Sequence, residues 1–195
     1  NQVNEYDLVV GNPPFGKVIN NKVLLEKYKD EKFNKNTNNI FSFFIEKACS
    51  ISKYVSLIIP KSLINSPEFN KTRELLVDYN IYSLTDYGEK AFNGVKIETI
   101  SFLLNTSKKE KQSNIRIESY ISNDVIIQDK DYIFSKDFPY WLIYRNSFFD
   151  SVVEKMELDI FESFRDRQIT KKHTLNSGSI RVLKSRNIDN NAIKD

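Results

Sequence analysis

Two short apolar runs, each cut off by proline, bracket an amphipathic stretch and leave this chain few folds to choose from. Residues 6–10 are stopped by Gly11-Asn12-Pro13-Pro14, and residues 54–59 by Pro60. Runs of this length, rich in Val and Ile, read as parallel strands covered on both faces. Between them Ile40, Phe41, Phe44, Ile45, Ala48 and Cys49 recur at helical spacing, which predicts an amphipathic helix over residues 39–52 packed on a sheet. Strand, helix, strand is a βαβ unit, and its crossover should be right-handed. The fold class expected is α/β.

Downstream the pattern continues. Residues 16–39 form a polar connection with one short helix near 23–28. Ser66-Pro67 opens another helix, with Ser as N-cap and Pro at the first helical position, whose buried face is Phe69, Leu75, Leu76 and Tyr79. Residues 81–85 and 97–104 read as two more strands joined by a glycine-punctuated loop that carries Phe92. After a charged connector at 108–113 the character changes: 115–121, 124–127, 141–144 and 180–183 suggest short strands, and 148–158 a helix. The expected organisation is a catalytic-type sheet domain over 1–107, an extension or bridge over 108–160, and the start of a further domain over 161–195.

Composition removes several function classes. At 195 residues, with 40% hydrophobic and 13% aromatic side chains, the chain can bury a core and is not of disordered type. No apolar run approaches the ~20 residues of a membrane span, so no membrane partner is expected. His173 is the only histidine, which weighs against a Ser-His-Asp triad or a multi-histidine metal site, and no metal is assigned. Cys49 is the only cysteine, sits on the apolar side of its helix, and is expected to be a core thiol. A cytoplasmic setting is the expectation.

The chemistry concentrates in Asn12-Pro13-Pro14-Phe15. Asn and Pro are ordinary turn residues, but this turn follows a strand, and ligands of open α/β sheets sit beyond the carboxyl ends of strands. Two successive prolines fix φ and remove two N–H donors. The loop can therefore offer the Asn12 side-chain oxygen and the Pro13 carbonyl as acceptors to a planar amine or amide, with Phe15 as a flat face for stacking.

With the preceding Tyr6-Asp7-Leu8-Val9-Val10-Gly11, this stretch resembles the strand and catalytic loop of DNA adenine N6-methyltransferases. The likeness extends, in order, through residues 40–52, through Tyr54-Val55-Ser56-Leu57-Ile58-Ile59-Pro60-Lys61-Ser62-Leu63, and through Leu84-Thr85-Asp86-Tyr87-Gly88. It ends with Ala91-Phe92-Asn93-Gly94-Val95 and Thr99-Ile100-Ser101-Phe102-Leu103-Leu104. It is similar to the γ-class enzymes of restriction-modification systems over about residues 5–105. The resemblance implies the C-terminal half of a Rossmann-like methyltransferase sheet with an α+β extension. It implies catalysis by Asn12, Pro13, Pro14 and Phe15, a second aromatic wall at Phe92, S-adenosylmethionine as methyl donor, double-stranded DNA as substrate, and the start of a target-recognition region over 161–195. In such a site two acceptors draw the exocyclic amine towards tetrahedral geometry, aiming its lone pair at the methyl group. The base must be flipped from the duplex to reach it.

In that family the cofactor is held by a glycine-containing turn and an acidic residue upstream of the catalytic loop. Here the glycines are Gly11, Gly16, Gly88, Gly94 and Gly178, and none forms a Gly-x-Gly pair. The chain is thus expected to be a piece of a larger enzyme, inactive alone, with its cofactor-binding residues mostly upstream. A nuclease domain or subunit of the same system is a possible partner. The triplet Asp30-Glu31-Lys32 fits an acidic-x-Lys nuclease element, yet no Pro-Asp lies upstream of it, and no cleavage is assigned. The other readings left open are a DNA-binding or scaffolding segment of a catalytically silent subunit, and methylation of RNA or of a protein glutamine.

Charge is uneven. From Arg165 onward eight Lys or Arg oppose three Asp, while the rest carries a slight acidic excess. Lys171, Lys172, Arg181, Lys184 and Arg186 are the candidate phosphate contacts. A Lys- and Asn-rich composition, visible also at residues 34–39, accounts for the same residues as a solvated face.

Overall fold

A computed structural model describes residues 5–17, 21–29, 33–107, 113–157, 160, 177–179, 188–189 and 192–193. The chain divides into two compact units, Asn1–Asp150 and Ser151–Asp195. The first contains β1 (Tyr6–Gly11), α1 (Lys22–Lys29), α2 (Ile40–Ile51), β2 (Ser52–Pro60), α3 (Asn70–Val77), β3 (Asn80–Gly88), β4 (Thr99–Asn105), β5 (Asn114–Ser119), β6 (Asp124–Asp129) and the single turn α4 (Lys130–Ile133). Helix α5 spans Ser147–Val153, and a small antiparallel pair in the second unit joins β7 (Ile188–Asp189) to β8 (Ala192–Ile193).

Six strands form one mixed sheet in the order β1-β2-β4-β3-β5-β6. The pairs β1/β2 and β3/β5 are parallel, whereas β4 is antiparallel to both β2 and β3, and β6 to β5. Strands β1, β2, β3 and β5 therefore all run the same way, and their carboxyl ends line one edge. The βαβ unit read from the sequence is β1, α2, β2. The hairpin β3–β4 inserts its second strand beside β2, so the loop between them also emerges at that edge.

Alternation explains the core. Val55, Leu57 and Ile59 on β2, Ile100, Phe102 and Leu104 on β4, and Ile115 and Ile117 on β5 share one buried cluster with Phe41, Ile45 and Cys49 of α2 and Leu76 of α3. Burying each large side chain of this kind contributes roughly 1.5–3 kcal/mol. Ser66 caps the 3-10 turn Pro67–Phe69 that leads into α3, its hydroxyl accepting from the Glu68 N–H. Arg73, only 4% exposed, donates to the carbonyls of Leu63, Ser66 and Pro139 at 2.7, 2.8 and 3.0 Å. The residue 133–143 segment is thereby fastened over α3.

Four local expectations need correction. Strand β1 exists and is parallel to β2, but it is not buried on both faces: Tyr6, Leu8 and Val10 are 56%, 51% and 68% exposed. It is an edge strand whose only described neighbour is β2, and only Val9 packs against the core. An apolar run records what a strand can tolerate, whereas its covering comes from neighbours. Residues 141–144 make no ladder. The Trp141 and Leu142 N–H groups donate instead to Ile64 and Ile133 carbonyls, while Trp141 and Ile143 insert into the core from a turn. The helix expected over 148–158 is the shorter α5. On α2 the buried rings are Phe41 and Phe43, the latter stacked 5.5 Å from Tyr28 of α1, and the predicted Phe44 is half exposed. The strand expected at 180–183 lies outside the described residues.

Candidate active site

The Asn12–Phe15 loop leaves the carboxyl end of β1. Gly11 still pairs with Leu57 of β2, after which the backbone leaves the sheet. Asn12 and Pro14 are exposed, Pro13 is buried and Phe15 half-buried. Among the described residues neither the Asn12 amide nor the Pro13 carbonyl takes up a hydrogen bond, so both remain available as acceptors. The far end of the loop is tied down. The Gly16 carbonyl accepts from the Ile40 N–H at 2.8 Å at the start of α2, and Lys17 pairs with Glu68 at 3.3 Å. Glu68 also accepts from the Thr37 hydroxyl.

The connection that follows is held by one buried amide. Asn34 donates to the Ser42 carbonyl at 3.1 Å and to Glu46 at 2.9 Å, and accepts from Thr72 at 2.5 Å. This fixes the start of α2, and with it the Gly16 anchor, against α3. A buried amide bonded on both its oxygen and its nitrogen favours one arrangement of the loop over others.

Phe92 reaches the same place from the other side of the sheet's carboxyl edge. Its ring lies 6.2 Å from that of Phe15, centroid to centroid, at 70°. The loop that carries it begins at Gly88 and includes Gly94, the only two described glycines with positive φ, at 54° and 77°. Sequence position alone put Phe15 and Phe92 on separate loops, and the reversed hairpin order brings them into contact.

Behind this pair lies a cluster that residue-type reasoning did not single out. Asp86, 1% exposed, accepts from the Lys61 ammonium at 2.8 Å, the Tyr144 hydroxyl at 2.7 Å and the Gly88 N–H at 3.0 Å. Burial pushes the Tyr144 phenol up to about 12; a hydrogen bond with Ser119 opposes the shift, and the Asp86 carboxylate adds to it. The available signal was the one charged residue of this strand, lying between Leu84 and Tyr87, since a buried carboxylate needs partners.

The proposed phosphate contacts Lys171, Lys172, Arg181, Lys184 and Arg186, together with His173 and the Asp30-Glu31-Lys32 triplet, lie outside the described residues.

Parts of the chain are similar to known proteins. Residues 1–92 match the family described as Eco57I restriction-modification methylase. The solved structure of the type IIG restriction endonuclease BpuSI is similar at a TM-score of 0.55 and 16% identity, over 69% of this chain and 20% of that one. The methyltransferase subunit of a type I restriction-modification system from Streptococcus thermophilus aligns at a TM-score of 0.49 and 13% identity, over 69% of this chain and 38% of that one. At such identities the BpuSI likeness establishes the fold, a mixed α/β sheet of the Rossmann-like kind. The chain spans about a fifth of the length of the first and under two fifths of the second. No curated protein matches it.

Proposed function

We propose that these residues form the base-holding part of a restriction-modification DNA methyltransferase that transfers a methyl group from S-adenosylmethionine to the N6 amine of a flipped adenine. The observation that carries this reading is the pairing of two features at one sheet edge: the Asn12-Pro13-Pro14-Phe15 loop with its uncommitted acceptors, and the Phe92 ring facing Phe15. The match of residues 1–92 to a restriction-modification methylase family supports it.

The roles follow from chemistry. The Asn12 oxygen and the Pro13 carbonyl each accept one amine proton, localising a lone pair that is otherwise delocalised into the ring. Phe15 and Phe92 supply apolar faces for the purine, returning part of the few kcal/mol that unstacking costs. In-line displacement demands orientation more than a strong base.

The residues present do not themselves fit the donor. The two positive-φ glycines both belong to the Phe92 loop, not to a turn after a strand beside β1, and no Gly-x-Gly pair exists in the sequence. The 195 residues alone are therefore proposed to be inactive. The edge position of β1, with Tyr6, Leu8 and Val10 uncovered, is consistent with further strands being needed to complete the site.

The test is transfer of labelled methyl from S-adenosylmethionine to duplex DNA by a chain that extends these residues through a cofactor-binding region, followed by nucleoside analysis. Label in N6-methyladenine, lost in Asn12→Ala with folding intact, is the expected result. Label in RNA or in protein glutamine instead would overturn the substrate assignment, and wild-type rates from Asn12→Ala would overturn the catalytic one. For the 195 residues alone, calorimetry is expected to find no tight S-adenosylmethionine binding.

A further inference from the structure

Lys61 ties together both ends of the loop that carries Phe92. It follows Pro60 at the carboxyl end of β2, and its ammonium lies 2.8 Å from Asp86 at the end of β3. Its backbone N–H donates to the Glu98 carbonyl at 2.9 Å, immediately before β4, and the same ammonium lies 3.8 Å from the Glu98 carboxylate. One residue of a neighbouring strand thus contacts the chain where it leaves the sheet towards Phe92 and where it returns.

Inside the loop the described hydrogen bonds are few. Two turn bonds, Lys90 N–H to the Tyr87 carbonyl and Val95 N–H to the Phe92 carbonyl, act locally. The Lys90 ammonium reaches the Tyr120 carbonyl at 2.7 Å from an exposed position. Residues 93–98 are exposed. Without strand pairing or burial of its own, the loop takes its position from its ends.

We propose that Lys61 is a positioning residue, setting where Phe92 stands opposite Phe15; its functional meaning rests on the reading of those two rings as walls of the base site. The backbone bond to Glu98 and the ion pair with Asp86 together put Lys61 at both ends of the loop. Lys61 is not a catalytic residue in this scheme, since it acts through the loop.

The experiment uses Lys61→Met and Lys61→Arg in the 195-residue chain. Amide hydrogen exchange is read across residues 89–97 and, as reference, across β2 and β4. In Lys61→Met the loop amides exchange roughly tenfold faster while the strand amides stay protected, the Phe15–Phe92 ring contacts in NMR spectra are lost, and Lys61→Arg recovers both. If Lys61→Met does not fold, the double variant Lys61→Met/Asp86→Asn removes the stranded charge and carries the same measurement. Unchanged loop exchange, or faster exchange spread evenly over the sheet, overturns the proposal. A second arm titrates a single-stranded oligonucleotide containing 2-aminopurine. Quenching by the wild type that weakens equally in Lys61→Met and Phe92→Ala, with no further loss in the double variant, is expected. Absence of quenching by the wild type defeats the base-holding reading, while the exchange data still decide the role of Lys61. Quenching that survives Lys61→Met unchanged overturns the positioning role.

Discussion

Phe15 and Phe92 meet edge to face, with ring centroids 6.2 Å apart and planes at 70°. That spacing is a contact between the two rings themselves. Under the proposed function, a purine held between them would have to part the pair.

Phe92→Ala should therefore separate binding from stability. Loss of an edge-to-face pair costs about 0.5–1.5 kcal/mol, and Phe92 is only partly buried, so the melting temperature should fall by a few degrees at most. Base stacking by alanine substitution is worth ~1–3 kcal/mol. In a methylation-competent enzyme containing this chain, kcat/KM should drop by that amount, with Phe92→Tyr retaining most activity.

Gly88→Ala should destabilise through its backbone. With φ at 54° the residue lies in the left-handed region, and an added Cβ would also come within 2.9 Å of the Ile121 side chain. The conformational part costs about 1–2 kcal/mol, and half-exposed Ile121 can give way. Gly11→Ala is the control: its Cβ would sit 3.6 Å from Leu57, an ordinary contact, with no positive φ. It should be neutral or stabilise by up to ~1 kcal/mol. Urea unfolding of both variants checks the contrast.

Arg73→Lys should behave as a severe substitution. The guanidinium reaches three carbonyls from two loops and lies 5.5 Å from the centre of the Tyr140 ring. An ammonium has no planar fork with which to span them. A cost of about 2–4 kcal/mol is expected, seen as a lower urea midpoint at unchanged slope.

Alkaline pH should erode stability from about pH 9 upward. Burial, with Glu46 adding to it, raises the Cys49 thiol from 9.0 to about 12, and burial raises the Tyr79 phenol from 10.0 to about 12. Tyr144 moves likewise. Between those values the unfolded chain has released protons that the folded chain still holds. Stability is then fully present below the unfolded pKa values and is lost as pH rises towards 12. Denaturant midpoints between pH 8 and pH 11 measure it, and a thiol reagent at pH 8 should modify Cys49 only after unfolding.

Much of the fold was legible because secondary structure follows local periodicity. The residues 40–51 helix, the strands ending at Pro60 and Gly88, and the Ser66 cap were marked by spacing and by prolines, and they stand within a few residues of where the pattern put them. The turn at 141–144 misled for a physical reason. Buried Trp141 and Ile143 alternate with the less buried Leu142 and Tyr144 as in a strand, while the Trp141 and Leu142 N–H groups donate to the Ile64 and Ile133 carbonyls instead of to a ladder. In β1, apolar character was legible and covering was not.

For the site, the chain by itself determined the chemical groups: Asn12 and Pro13 as acceptors on a proline-stiffened loop, with Phe15 beside them and Phe92 on a glycine-bounded loop. Residue type and order are enough for that, because which atoms accept, stack or bend is a property of each residue. Only the tertiary structure decided that β4 runs antiparallel between β2 and β3. That order brings Phe92 to Phe15, and Lys61 to both Asp86 and Glu98. Strand order is a property of long-range pairing, in which residues far apart in the chain compete for the same edge, and no local pattern records which of them wins.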